Sequence, residues 1–265
     1  MKLLAWDTSA KVGCVVAMEW PTEGGANTSP KLVAEWMLGV EATHSERLLW
    51  GIHELLESAN WKLGDVDVFG IGVGPGSFTG LRIGVTTART LASTLGKPLI
   101  AVSSLAALAR PVALAQASKK TIVVAATDAC KGELFALWGN AKSITDCTVM
   151  AEGDDPGYWK RGVEEQVISP DALMKILKRK LGSDGRWVAV GEGRLRYLDA
   201  WKALPRNQEI ELLLPYSDHV QGRYLGLLCY QTLQAGLARS PSQVIPRYVR
   251  ASDAELKLKA GLLRK

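Results

Sequence analysis

"LLAWDTSAKVGCVVA" (residues 3–17) and "VVAATDACKGELFAL" (residues 123–137) are built to one plan. Each is an apolar strand-like run, an aspartate at its end, a small residue, a lysine and glycine in a turn, and a second apolar run. One hairpin of this kind is ordinary, but the same hairpin in both halves of a chain points to a duplicated domain.

The elements around each copy extend the repeat. In the first half, the runs 2–9, 12–20 and 31–38 predict an antiparallel meander, with "PTEGGANTSP" (21–30) as a long second connection. Residues 43–60 then change to helical period, with Leu48, Leu49, Ile52, Leu55, Leu56 and Ala59 on one face and a Thr43/Glu46 capping box. A buried strand over 66–73, a glycine loop, a helix over 80–95 ending at Gly96 before Pro98, and a strand over 97–102 follow. The second half offers paired strands over 121–128 and 132–139, a helix near 170–180, and a strand running into glycines over 186–193. Two copies of one α/β domain facing each other across a cleft account for this order.

The composition is that of an ordinary globular chain: 265 residues, 47% hydrophobic and 22% charged. Lys+Arg 32 against Asp+Glu 27 gives +5, which permits contact with nucleic acid or phosphate without requiring it. Cys14, Cys130, Cys147 and Cys229 form no CxxC pair, and Asp7 interrupts the only apolar stretch near the N-terminus, so a reduced, cytoplasmic protein is expected. No apolar run approaches the roughly 18 residues of a membrane-spanning helix, so no membrane role is expected. The nine tryptophans, among them Trp6, Trp20, Trp36, Trp50 and Trp61, are expected in the core.

The duplicated layout puts Asp7 and Asp128 at the inner ends of opposing strand pairs, where a carboxylate could hold a metal-bound water. Ser9, Gly74, Gly76, Gly191 and Gly193 lie in the turns beside them and complete a candidate nucleotide site, inherited or vestigial. Aspartates also cap turns and glycines also serve close packing, so the structural reading stands beside the functional one. "GVGPGSFTGLRIG" (72–84) satisfies neither the GxGxxG nor the GxxxxGK[ST] pattern. Beyond it, Gly80, Gly84, Ala88 and Ala92 recur every four residues as a smooth stripe bordered by Leu81 and Val85. Such a stripe fits a helix of another subunit or the chain's own sheet equally well.

"GPGSFTGLRIG", with "DTS" (7–9), "HSERLL" (44–49), "PLIAVSSLAALA" (98–109), "DACKGELFA" (128–136), "GEG" (191–193) and "PRYVR" (246–250), resembles the bacterial TsaB (YeaZ) proteins along nearly the whole chain. The resemblance implies a two-lobed α/β fold of the actin, Hsp70 and sugar-kinase (ASKHA) class with duplicated βββαβα lobes. The lobes would be 1–112, completed by a helix at 218–238, and 113–217, with a tail over 239–265. It implies a non-catalytic subunit of the complex that makes threonylcarbamoyladenosine (t6A) in tRNA. Its partners would be a TsaD-type transferase, a TsaE-type ATPase, tRNA through the complex, and a second copy of itself when isolated. The partner surface would lie on the two N-terminal-lobe helices, at His44, Leu48, Gly51, Ile52, Leu55, Gly80, Leu81, Gly84, Val85, Ala88 and Ala92. No catalytic residue and no metal are expected, since "SSLAALA" (103–109) stands where TsaD-type proteins carry a metal-binding histidine pair. The candidate cofactor is limited to a nucleotide, ATP or ADP, at the interface of the complex. "DACKGE" departs from the family's arginine-rich turn, and 21–30 lengthens the first hairpin loop. A second reading is a nucleotide-dependent phosphotransferase or ATPase around Asp7 and Asp128, and a third is direct tRNA binding through Arg247, Arg250 and Lys257.

Overall fold

The computed structural model describes residues 1–21, 30–39, 44–116, 120–145, 163–209 and 218–249. The expectations placed on the 21–30 connection beyond its two ends, on Thr43, and on Cys147, Arg250 and Lys257 lie outside them, as do the side chains of His44 and Glu46.

In the first half, β1 (Lys2–Asp7), β2 (Val12–Glu19) and β3 (Lys31–Gly39) form the expected antiparallel meander. α1 (His44–Ala59) leads to β4 (Val68–Gly72), parallel to β1, and α2 (Phe78–Leu95) leads to β5 (Leu99–Val102), parallel to β4. The strand order is β3-β2-β1-β4-β5. In the second half, β6 (Thr121–Asp128), β7 (Leu134–Asn140) and β8 (Val163–Ile168) repeat the meander, with α4 (Ala141–Thr145) after β7. α5 (Pro170–Leu181) then leads to β9 (Arg186–Val190), parallel to β6, and the order is β8-β7-β6-β9. Both sheets therefore share the order 3-2-1-4. The equivalent of α2 is the five-residue α6 (Glu192–Arg196), followed by α7 (Leu198–Trp201).

Strand alternation sends successive side chains to opposite faces, and each sheet is covered on both. One face of the first sheet, with Leu4, Trp6, Val15, Phe69 and Ile71, packs against Leu48, Ile52 and Leu55 of α1 and Val85, Ala88 and Ala92 of α2. One face of the second, with Val124, Ala126 and Trp138, packs against Leu173, Met174 and Leu177 of α5. The remaining faces meet through α3 (Ser104–Ala115) and α8 (Gly222–Gln234), and a single apolar cluster runs from Leu3 and Val16 through Leu108 and Val112 to Val123 and Val188. A division after residue 112 thus falls inside a helix that belongs to the core of both halves.

Local chemistry fixes the helix ends. α2 begins at Phe78, two residues before the expected start, because the Ser77 hydroxyl accepts a hydrogen bond from the Gly80 N–H. It ends where expected, with Gly96 in the left-handed region (φ 62°). Leu49, expected on the buried face of α1, is instead 54% exposed, whereas Leu48 is 2% exposed. Trp50 also departs from the expected core placement and is 52% exposed, its ring set edge-on to that of Trp36.

Candidate functional site

The turn after β1 and the loop after β4 meet at the lobe junction, where the sequence places most of its candidate nucleotide site. Asp7 is fully buried. Its Oδ1 accepts from the Ser9 N–H (2.9 Å) and hydroxyl (2.6 Å), and its Oδ2 accepts from the Ser104 hydroxyl (2.5 Å). Burial raises the carboxyl above its usual range, against the opposing pull of the Ser104 and Ser9 hydrogen bonds. Both oxygens are thereby satisfied within the protein, so Asp7 presents no open face to a metal or phosphate.

The glycines around it are demanded by close backbone approach. A methyl group at Gly72 would overlap Asp7 Oδ2, at Gly76 and Gly80 the carbonyl oxygens of Ser9 and Thr8, and at Gly84 the Thr8 hydroxyl. Two of the loop's backbone donors serve the same closure: Ser77 N–H donates to the Ser9 carbonyl (2.7 Å) and Gly74 N–H to Ser104 Oγ (3.0 Å). The smooth stripe on α2 therefore seats this helix on its own strand end, with Thr8 Oγ1 donating to the Gly80 carbonyl (2.7 Å) and Trp6 Nε1 to that of Gly84 (3.1 Å).

Asp128 occupies the matching end of β6, and its chemistry differs. Its carboxylate accepts from the Cys130 N–H (3.0 Å) and the Tyr197 hydroxyl (3.1 Å), and pairs with Arg196 Nε (3.2 Å). Gly191 and Gly193 pack against the Ala126 carbonyl, and Gly191 N–H donates to Asp218 (3.2 Å). Each aspartate thus serves its own lobe, and among the described residues no three His, Cys, Asp or Glu side chains form a metal-ligand group.

The residues expected at a partner surface, from Leu48, Gly51, Ile52 and Leu55 to Gly80, Leu81, Gly84, Val85, Ala88 and Ala92, are buried inside the N-terminal lobe. Helical period identifies residues that share a face but not what that face meets. The outward side of α1 carries Leu49, Trp50, His53 and Glu57, and that of α2 carries Thr79, Arg82, Thr86 and Thr90.

A second polar group at the junction has no precedent in the sequence reading. The side chain of Glu165 on β8 is fully buried, with Oε1 on Arg247 Nη1 (2.7 Å) and Oε2 accepting from the Ser103 hydroxyl (3.0 Å). Burial lifts this carboxyl to about 7, opposed by the guanidinium and the two hydrogen bonds. The segment carrying Arg247 lies over the glycine loop. Arg247 N–H donates to the Val73 carbonyl (2.8 Å), Tyr248 packs on Phe78 (4.7 Å), and its hydroxyl accepts from Arg82 Nε (3.1 Å). Arg247, read as a candidate RNA contact, is therefore a 10% exposed clasp between the C-terminal segment and the second lobe. The only sequence signal for this group is that Glu165 shares a strand face with Val163 and Val167, which marks a buried acid without naming its partner.

Fold and site define a protein of two α/β lobes that share one strand order, in which the N-terminal lobe's acidic position is closed. The family model for "TsaD: tRNA N6-adenosine threonylcarbamoyltransferase" matches residues 39–177. The tRNA threonylcarbamoyladenosine biosynthesis protein TsaB of Escherichia coli is 29% identical over 97% of this chain and 98% of its own. The protein of that name from Haemophilus influenzae is 32% identical over 67% of this chain and 68% of its own. A crystal structure from Pseudomonas aeruginosa, described as similar to peptidase YeaZ, superposes with a TM-score of 0.66 at 25% identity, covering 94% of this chain and 99% of that one. The chain belongs to this family, among its TsaB (YeaZ) members.

Proposed function

We propose that this chain is a non-catalytic subunit of tRNA threonylcarbamoyladenosine synthesis that supports a TsaD-type transferase by pairing with it through α1 and α2. The names of its relatives support the pathway. The observation carrying the subunit reading is the outward side of α1, where Leu49 and Trp50 stay more than half exposed on a helix whose other face is core. Exposed large apolar side chains on a surface helix are the raw material of a protein interface, and tryptophan is among its strongest anchors. The isolated chain uses the same side to form a homodimer, a two-fold pairing that the transferase lobe replaces. Contact with a TsaE-type ATPase, with tRNA, and with a nucleotide at the interface belongs to the assembled complex. The phosphotransferase reading is the weaker one, because a kinase needs an accessible carboxylate at a position like Asp7, and this one is buried and fully bonded.

Light scattering of the chain alone, and mixed with its cognate transferase, tests the proposal. The expected result is a dimer alone, a mixed complex with the transferase, and at least tenfold weaker association of both kinds for Trp50→Glu with unchanged far-UV dichroism. A monomer that ignores the transferase would sink it.

A further inference from the structure

At the far end of the second lobe from Asp128, positive charge gathers from several elements at once. Strand register fixes which residues share that end: Thr121 pairs with Arg186, Ile122 with Asn140 and Gly139 with Val163, so β6, β8 and β9 begin there and β7 ends there. Lys178, Arg179 and Lys180 come from the last turn of α5, which runs straight into that end of β9. Arg186 opens β9, Lys142 is the second residue of α4, and Lys120 immediately precedes β6. The Gln208 amide donates to the carbonyls of Gly182 (3.2 Å) and Ser183 (2.8 Å), holding the turn that carries Arg206 beside the others.

All seven cations are exposed, and the carboxylates among them in the described residues are Glu164, paired with Lys180 (2.8 Å), and Asp184, paired with Lys120 (2.5 Å). Among the described residues, seven cations therefore face two carboxylates, both of them paired. A helix macrodipole accounts for basic residues in the last turn of α5. It does not account for Lys142, Arg186 and Arg206, which reach the same end from three other elements.

We propose that this basic end of the second lobe binds the phosphate backbone of RNA, adding a tRNA contact to the t6A-complex reading on which it rests. Clustered cations on one face are the electrostatic footprint of a polyanion partner, and each neutralised phosphate releases counterions. RNA fits better than an anionic membrane, because of the large exposed apolar side chains among the described residues only Leu114, in the last turn of α3, neighbours this end in the chain, and one such side chain does not make an inserting face. Among the described residues no exposed aromatic side chain lies with these cations, Trp187 beside Arg186 being buried, so the contact reads backbone rather than base.

The test measures binding of an unmodified tRNA transcript to the complex of this chain with its transferase, as a function of salt. Two triple variants are compared: Lys178→Ala/Arg186→Ala/Arg206→Ala, and Lys11→Ala/Lys31→Ala/Lys97→Ala as a control of equal charge change. The first is expected to weaken binding at least tenfold at low salt and to flatten the log–log salt slope by about 2, at about 0.7–0.9 per phosphate contact. The control should match wild type. Equal behaviour of the two triples overturns the proposal, as does loss of binding to phosphatidylserine vesicles with tRNA binding intact. Light scattering on the same samples separates the two ideas. If no complex with the transferase forms, the subunit reading fails, and the slope difference, read on the chain alone, still decides for or against the basic end.

Discussion

A single carbon added at residue 72 would sit on the Asp7 carboxylate, between β1 and the loop that closes over it. The carboxylate cannot move aside without losing the Ser9 and Ser104 hydrogen bonds that offset its burial. Gly72→Ala should therefore cost about 3 kcal/mol or more, read as a lower urea midpoint. Gly96→Ala meets no neighbour and carries only the left-handed φ, so about 1 kcal/mol is expected there. Equal losses at the two positions would mean that Asp7 yields readily. Glu165 makes a different prediction. Its carboxyl is lifted from 4.5 to about 7 in the folded protein, so between those values the folded chain holds a proton that the unfolded chain has released. That contribution is fully present below pH 4.5 and is lost as pH rises through 7. Stability should fall by roughly 3 kcal/mol across this window. Glu165→Gln, whose amide resembles the protonated carboxyl, should lie close to wild type at pH 5 and lose most of that slope in melting temperatures taken from pH 5 to 8.

Neighbouring residues of α1 show how one helix divides its work. Leu48 enters the apolar layer over Phe69 and Ile71, while Leu49 points to solvent. Leu48→Ala should cost about 2–5 kcal/mol in the isolated chain. Leu49→Ala should fall within about 0.5 kcal/mol of wild type in the same denaturation, yet weaken self-association and pairing with the transferase. If Leu49→Ala changes neither assembly, α1 is not the partner surface. The helix and its period were legible in "HSERLLWGIHELLESA", because a wide apolar stripe is a sequence property. Which border of the stripe is covered depends on where β3 and α2 lie, and that information is nonlocal. The same gap explains α2, whose small-residue stripe was legible as a face but not as a seat for Thr8. α3 lacks such an asymmetry: "SLAALARPVALA" is apolar nearly all round because both sheets bury it.

The duplication was legible for the whole molecule because each aspartate-ended hairpin is a local pattern, and the structure gives both sheets one strand order. How the copies join was not, since the joining contacts link residues distant in sequence. Arg110 is the clearest case. On α3, and buried, it donates from Nη1 to the carbonyls of Ile144 (3.2 Å) and Thr145 (2.8 Å) on α4, and from Nη2 to Gln231 on α8. One side chain thereby ties the helix shared by both sheets to an element of each lobe, within an apolar cluster that is continuous between them. Lobes that share a core this way have no separate surface to retreat to, so the chain should unfold in one transition despite its two-lobed outline. Arg110→Ala would leave buried carbonyls without their donor and a space where the guanidinium stood, a loss of several kcal/mol. Both lobes should destabilise together. Hydrogen exchange in denaturant can follow β1 and β6 separately. Equal opening energies in the two strands, falling together in Arg110→Ala, are expected. If β6 opens first and the variant weakens it alone, the lobes are independent units and the shared cluster does not couple them.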